Sequence, residues 1–421
     1  MNRLSKIIYS QLWIGLALSL LFIAGNAGAQ NYTFSAYSAY GLGLLENNGI
    51  SENFGMGSAG IALPSERYLN TINPASFYGI DSTSFIFEVG AFGKYSSLQS
   101  QGTSLDKLGA SVRYIAMGFK ITKWWGIAGG LAPFSTRGYS IVNTYTTNGY
   151  NDTYQSNISG SGSINRAYIG NAFSPFKNFS IGINASYLFG SLKQNEQITY
   201  PSIRYNGMNI VNSNYFSNFT YDAGMQYKAT FGRHTILAGI TYNPSQTLSV
   251  RTNKLVVDSP DTLQNDRSVY ANFTLPAAAG IGLGYYWKDQ LKVFVDYKFQ
   301  QWSKTNYHYE EAQLTDSRQY NIGIEFAPER RINTGYWNAV EYRAGFRHED
   351  SYLVLRGTQI KESAVTIGLS MPLRNQFSKI NVSAEFGQQG TIANQLIKEN
   401  YIRFTLGLTL RDRWAPRPRY D

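Results

Sequence analysis

Ser180-Ile181-Gly182-Ile183-Asn184-Ala185-Ser186-Tyr187-Leu188-Phe189 decides the fold. Side chains of an extended chain alternate with a period of two. Ile181, Ile183, Ala185, Tyr187 and Phe189 therefore share one face, and Ser180, Gly182, Asn184 and Ser186 the other. A strand this long, apolar on one side and polar on the other, separates two different media.

The pattern recurs along the chain. Leu291, Val293, Val295, Tyr297 and Phe299 oppose Lys292, Asp296, Lys298 and Gln300. Tyr342, Ala344 and Phe346 oppose Glu341, Arg343 and Arg347, and Ile380, Val382, Ala384 and Phe386 oppose Asn381, Ser383 and Glu385. Near the end, Phe404, Leu406, Leu408 and Leu410 oppose Arg403, Thr405, Gly407 and Thr409. A soluble β-sandwich with one wet face also alternates. Its strands, however, average ~5–6 residues, whereas these reach the ~9–11 that a tilted membrane strand needs. Aromatic residues cluster at segment ends (Trp124-Trp125, Tyr285-Tyr286-Trp287, Trp302), where the girdles of a membrane barrel lie. Connections alternate as well. Short turns fall at Thr122-Lys123, Lys177-Asn178, Gly232-Arg233, Lys288-Asp289 and Asn375-Gln376, and long polar stretches at Ser97–Asp106, Asn143–Ser159, Asn253–Arg267 and Gln388–Glu399. Short periplasmic turns and long external loops are the asymmetry of bacterial outer-membrane barrels.

The expected fold is all-β, a transmembrane antiparallel β-barrel of about 14 strands, an even number as such barrels require. The strands are expected at 82–95, 108–121, 124–142, 160–174, 178–200, 215–230, 233–252, 268–287, 290–306, 316–328, 336–348, 363–373, 378–388 and 400–411. No domain linker or internal repeat interrupts them.

Composition agrees. Among 421 residues, 15% are charged, against the ~25% of a soluble domain, and 40 are glycine and 32 tyrosine. The absence of cysteine excludes disulfides, thiolate metal sites and a cysteine nucleophile. The formal charge of +10 is scattered rather than blocked, so nucleic acid is not the expected partner. At the N-terminus, Arg3 and Lys6 precede an apolar run from Leu12 to Ala24 that ends in Ala27-Gly28-Ala29. This is the layout of a cleaved signal peptide over 1–29, too short for a membrane span and with no basic stop-transfer cluster after it. Mature Gln30 follows, with no lipidation cysteine.

Residues 30–81 do not alternate. Gly55-Met56-Gly57-Ser58-Ala59-Gly60 and Asn73-Pro74-Ala75 indicate a compact backbone with close contacts. A phosphate-loop reading fails for want of a preceding strand and a Gly-Lys-Ser/Thr ending. A barrel of this size must fill its interior or form a channel. The segment is therefore read as a plug, or hatch, the alternative being a flexible periplasmic leader. The organisation expected is signal peptide 1–29, hatch 30–81, barrel 82–411 and tail 412–421.

With Gly55–Ala62 and Asn73-Pro74-Ala75 in an N-terminal hatch, the chain resembles the FadL/TodX-like outer-membrane long-chain fatty-acid transporters. Asn73-Pro74-Ala75 is similar to that family's N-terminal Asn-Pro-Ala signature. Leu275-Pro276-Ala277, Asp296 and Trp302 are similar to its Leu-Pro … Asp … Trp pattern. The resemblance implies fourteen strands, an N-terminal hatch and a lateral gap at a kink in an early strand. Gly129, Gly130 and Pro133 are the candidate determinants of that opening, the alternative being an ordinary bulge. The chain departs from the best-known transporters in its charged lumen face and in Arg411-Asp412-Arg413-Trp414 and the Pro- and Arg-rich tail to Asp421. Both departures are similar to members that serve secretion or assembly as accessory subunits.

No catalytic constellation is evident. His234, His308 and His348 are scattered, and no Gly-x-Ser-x-Gly elbow accompanies His348 and its acidic neighbours Glu349 and Asp350. Neither enzyme activity nor a cofactor or metal is expected. Inward charges, chiefly Lys292, Asp296, Lys298, Glu341, Arg343, Arg347, Glu385 and Arg403, are read first as ion pairs across strands and to the hatch. Arg343 and Arg347 are the candidates for receiving an amphiphile's carboxylate, because guanidinium matches that group. The expected function is passive outer-membrane transport of hydrophobic or amphipathic small molecules such as fatty acids. The alternative is a non-transporting accessory barrel of an outer-membrane secretion or assembly complex. Membrane lipid, a hydrophobic solute and protein partners are the expected contacts.

Overall fold

The computed structural model describes residues 33–82, 84–146, 153–200, 207–258, 261–305, 312–328, 335–373 and 378–413. The signal peptide, Gln30, His308, the Asn375–Gln376 turn and the tail from Trp414 lie outside the described residues.

Fourteen antiparallel strands close into a barrel. They are β1 (Ser84–Ser100), β2 (Thr103–Thr122), β3 (Trp125–Thr146), β4 (Thr153–Phe176), β5 (Phe179–Thr199) and β6 (Met208–Phe231). β7 runs over His234–Asn243 and resumes as Gln246–Asp258, and β8 over Asp261–Leu275, resuming as Ala278–Trp287. There follow β9 (Leu291–Gln300), β10 (Ser317–Phe326), β11 (Glu341–Leu355), β12 (Thr358–Pro372), β13 (Lys379–Gln389) and β14 (Lys398–Arg413). Pairing of β14 with β1, from Lys398 opposite Gln99 to Arg413 opposite Ser84, closes the ring and leaves no sheet edge there.

The alternation is inverted relative to a soluble sheet. On β10, Tyr320, Ile322, Ile324 and Phe326 are exposed while Gln319, Asn321 and Glu325 are buried. Ile181, Ile183, Val295, Phe346, Ile367, Phe404 and Leu406 also face outward. Apolar residues meet lipid and polar residues meet the interior.

Several expected external loops are strand. β1 and β2 are joined by Gln101–Gly102 alone, β7 and β8 continue to Asp258 and Asp261, and β3 and β4 extend to Thr146 and from Thr153. The pattern fades there for a physical reason. Beyond the bilayer both faces of a strand meet water, so the backbone ladder continues without an apolar face. In the other direction, 336–340 is not strand: a 3-10 turn over Tyr336–Ala339 precedes β11. The last strand also runs past 411, to Arg413.

Strand lengths are unequal. β9 and β10 have 10 residues each, enough to span, whereas β4 and β6 have 24. The wall from β3 to β8 therefore rises well above the membrane. Its inner face buries Ile164, Leu188, Leu192, Phe216, Leu248, Val250 and Phe273. Across the mouth these meet Trp302, Tyr352 and Leu353, with Tyr37 and Leu42 from the segment before β1. The rings of Trp302 and Tyr352 stack at 4.2 Å. An apolar core thus closes the outer end of the barrel.

Candidate functional site: a stoppered lumen

Residues 33–82 lie inside the barrel, and glycines in the wall make room for them. A Cβ on Gly182 would strike Pro74 and Ala75; on Gly239 it would strike Ile61, and on Gly323 it would lie 2.6 Å from the Met56 Cβ. Gly345 and Gly368 face Met56 and Gly55 in the same way. Pairs of these glycines lie opposite each other in the ladder, Gly182 with Gly224, Gly239 with Gly282 and Gly323 with Gly345. Together they form a collar at one height, against which the lumenal backbone presses without intervening side chains.

Of the candidate hatch residues, Gly55, Gly57, Asn73, Pro74 and Ala75 meet this collar, while Gly60 packs against Asn53, Asn70 and Ile72 of its own segment. Asn73 donates through Nδ2 to the carbonyls of Ile61 (2.8 Å), Met225 (3.1 Å) and Ile240 (3.3 Å), and its Oδ1 accepts from the Ala75 N–H at 3.0 Å. It therefore caps the 3-10 turn Pro74–Gly79 and ties it to β6 and β7. The Gly57 N–H donates to Thr366 Oγ1 at 2.8 Å, and that hydroxyl donates to the Gly55 carbonyl at 3.1 Å. One Asp296 oxygen on β9 accepts from the N–H groups of Gly60 (2.7 Å) and Ile61 (3.0 Å). Both bonds are charge-assisted, so Asp296→Ala is expected to cost about 2–3 kcal/mol. Urea unfolding of the refolded barrel in detergent measures this, and a change below ~0.5 kcal/mol would show the clamp to be redundant.

Toward the inner end, Arg343 anchors a buried network. Its Nε donates to Glu325 at 2.7 Å and its Nη2 to Glu341 at 3.0 Å, with the Glu52 carboxylate 3.7 Å away. A further donor reaches Ser370. Lys292 pairs with Glu325 at 2.8 Å, and Lys379 with Glu341 at 2.5 Å. From the lumenal segment, Tyr68 donates to Glu341 at 2.5 Å and Arg67 reaches it at 3.2 Å. Burial, with the neighbouring Glu325 charge, pushes the Glu52 carboxyl up to about 8. The register brings this set together: Glu325 lies opposite both Lys292 and Arg343.

Arg347 sits higher on the same strand. It meets Glu362 at 2.6 Å, Glu385 at 3.0 Å and Glu349 at 3.7 Å, and donates to Tyr401 at 3.0 Å. Both candidate ligand-binding arginines are therefore engaged by carboxylates of the wall, and Arg343 also by the lumenal segment.

Gly129, Gly130 and Pro133 mark a seam. Pairing between β2 and β3 stops at Ile115 opposite Leu131, and β3 bulges between Pro133 and Ser135. Above that point the lumenal chain takes the place of β2. Leu44 and Leu45 pair with Thr136 and Ser135, and the Glu46 N–H donates to the Phe134 carbonyl at 3.0 Å. Thr33 bonds Thr136 at 2.8 Å, and the Phe34 ring lies 5.8 Å from Lys107 Nζ on the opposite lip.

A space of about 200 Å³ lies between the lumenal segment and the wall. Glu46, Asp222, Glu349, Arg166 and Lys298 line it beside Phe134 and Trp302. His234 bonds Tyr285 at 2.7 Å at an exposed turn, and His348 bonds Ser363 at 2.8 Å; His308 lies outside the described residues. Among the described residues no three His, Cys, Asp or Glu side chains are grouped to hold a metal. Sequence reasoning missed Glu52, Tyr68 and the glycine collar. The collar had a visible signal, an inward-phase glycine on strand after strand.

The family model described as BamG matches residues 13–421. No curated protein matches the chain. Among solved structures, the toluene transporter TbuX of Ralstonia pickettii is 13% identical, with a TM-score of 0.57 over 88% of this chain and 99% of that one. The Pseudomonas putida toluene transporter TodX is 13% identical, with a TM-score of 0.55 over 88% and 99%. A Pseudomonas aeruginosa FadL homologue is 12% identical, with a TM-score of 0.55 over the same shares. At these identities the likeness is one of fold: a closed fourteen-stranded antiparallel β-barrel of FadL type.

Proposed function

This chain belongs to the BamG family, and we propose that it is a non-transporting accessory barrel that acts by binding protein partners in an outer-membrane secretion or assembly complex. One observation carries this reading: the lumen is stoppered at both ends. The apolar core from Tyr37 to Trp302 fills the outer mouth. The Arg343–Glu325–Glu341 network and the glycine collar grip the segment below it. A space of about 200 Å³ is small against the ~300–1,000 Å³ of ordinary ligand pockets, and polar and charged side chains take as large a part in its lining as apolar ones. The tall β3–β8 wall offers a surface for partners outside the membrane.

The experiment is gentle purification from native membranes after cross-linking, alongside solute flux in proteoliposomes. Stoichiometric recovery of other outer-membrane proteins, with flux at the background of empty vesicles, is expected. Saturable uptake of a fatty acid or toluene by the isolated protein would overturn the reading.

The seam at Leu131 favours a second reading, the transport of hydrophobic molecules. In it, Gly129, Gly130 and Pro133 border a lateral exit and Arg343 or Arg347 receives a headgroup once its carboxylates release it. That version requires the hatch to gate, so deletion of residues 30–81 should change uptake several-fold. Unchanged uptake would end it.

A further inference from the structure

The wall between β6 and β7 has a gap in its ladder, distinct from the seam beside β3. β6 pairs with the lower half of β7 up to Ala223 opposite Tyr242, and with its upper half from Phe216 opposite Val250. No register pair joins 217–222 to the chain between. Pro244 lies at the break in β7 and Pro276 at the break in β8, and neither offers an N–H to a ladder. Two side-chain amides stand in for the missing backbone bonds. Gln246 donates to the Tyr221 carbonyl at 3.0 Å and accepts from its N–H at 2.9 Å. Asn218 donates to the Ser249 carbonyl at 3.0 Å and accepts from its N–H at 2.8 Å. A backbone ladder resists opening cooperatively, whereas two amides can swing aside by side-chain rotation.

The gap lies at the membrane surface. Tyr221 is ten residues above the β6–β7 turn, and at ~3.3 Å per residue on a tilted strand this is about 25 Å, the height of the apolar band. Outside it stand Phe219, 81% exposed, with Tyr221, Tyr242 and Tyr187, whose ring lies 4.9 Å from Phe219. This is an aromatic, lipid-facing patch. Immediately inside lies the 200 Å³ cavity, to whose lining Tyr221, Pro244 and Gln246 themselves contribute. Two cations there have no ion pair among the described residues. They are Lys298 and Arg166, whose Nε is buried without a hydrogen bond. Three carboxylates face the same space. Asp222 accepts from Asn184 at 3.0 Å, Glu349 lies 3.7 Å from Arg347, and Glu46 completes the set. A purely anionic group would be repelled by those acids and a purely cationic one by Arg166 and Lys298. A group carrying both charges matches.

We propose that the gap latched by Gln246 and Asn218 is a side window through which the cavity receives the phosphate-and-amine headgroup of a zwitterionic phospholipid. The acyl chains stay in the membrane against Phe219 and Tyr242. The phosphate meets Arg166 or Lys298, and the amine meets Glu46, Asp222 or Glu349. The lipid is held and not passed, because the glycine collar closes the way below. The inference goes beyond the partner-binding function and does not depend on it.

The test uses the full barrel in nanodiscs containing phosphatidylethanolamine with a photoactivatable headgroup, and reads cross-links by mass spectrometry. Labels on the cavity residues around Arg166, Asp222 and Lys298 are expected. The paired change Arg166→Gln and Lys298→Gln should reduce them at least tenfold, and Gln246→Ala with Asn218→Ala should speed labelling several-fold. Heat-modifiable gel mobility checks that each variant is folded. Labels confined to the outer wall would overturn the proposal, as would equal labelling by phosphatidylglycerol. Equal competition by soluble phosphoethanolamine would overturn the window, since the head would then arrive through the mouth.

Discussion

Arg343→Met is expected to destabilise the barrel by about 3 kcal/mol and to loosen the inner end of the lumenal segment. The guanidinium lies within 4 Å of Glu325, Glu341 and Glu52 together. Removing one partner of a buried ion pair costs ~3–5 kcal/mol, because the charge left behind cannot reach water. The lower end of that range applies because Lys292 still holds Glu325, and Lys379 still holds Glu341. Glu52 loses its Arg343 contact but keeps the neighbouring Lys292 charge. Arg343→Lys should recover only part of the loss, since a single ammonium cannot serve the geometry of a planar fork. Urea unfolding in detergent gives the stability, and limited proteolysis within residues 33–82 reports the segment. If Arg343→Met matches the parent in both, the network does not hold the hatch.

Gly57→Val is expected to have an effect at least as large, for a different reason. Gly57 has φ +62°, which β-branched residues rarely adopt. Its added Cβ would lie 2.6 Å from the Phe346 carbonyl oxygen and 2.8 Å from the Phe346 nitrogen, backbone atoms of a barrel strand that cannot move aside. Backbone strain of ~1–3 kcal/mol adds to this overlap. The least costly response is for residues 51–60 to leave the wall, breaking the Gly57–Thr366 and Gly60–Asp296 bonds. Proteolysis near Gly57 should accelerate at least tenfold while the barrel keeps its heat-modifiable mobility. In the flux assay, solute leakage through the variant would indicate that the seated segment is what seals the lumen. Gly102→Val serves as the control. Gly102 also has positive φ but nothing within 4 Å of its Cβ position, so it should leave the lumenal segment protected.

The fold was readable because a membrane imposes one rule on every spanning residue. Lipid outside and a polar interior force strict alternation, and β10 obeys it at every position. Where the rule ceases, reading failed. The upper parts of β3, β4, β7 and β8 stand in water on both faces, so their extended backbone left no hydrophobic signature. The Tyr336–Ala339 turn shows the reverse error, since aromatic residues there belong to an exposed turn and not to a strand.

The site was readable in part. Eight charges could be assigned to the interior from phase alone: Lys292, Asp296, Glu341, Arg343, Arg347 and Glu385 are buried, and Lys298 and Arg403 are half-buried. Which of them touch could not be read that way. Pairing of Arg343 with Glu325 depends on the register between β10 and β11, which alternation alone does not fix. Glu52, Arg67 and Tyr68 come from a stretch with no periodicity, so no phase locates them.

The sequence by itself determined the medium, the strand number and the face on which each spanning residue stands, because those follow from local chemistry repeated every second residue. Only the tertiary structure decided that the barrel is stoppered. Closure depends on contacts between residues hundreds of positions apart, such as Gly57 with Thr366 and Gly60 with Asp296. It depends equally on wall glycines coming to one height around the ring. Alternation encodes a wall, but whether that wall encloses a passage is fixed by the shape of what fills it.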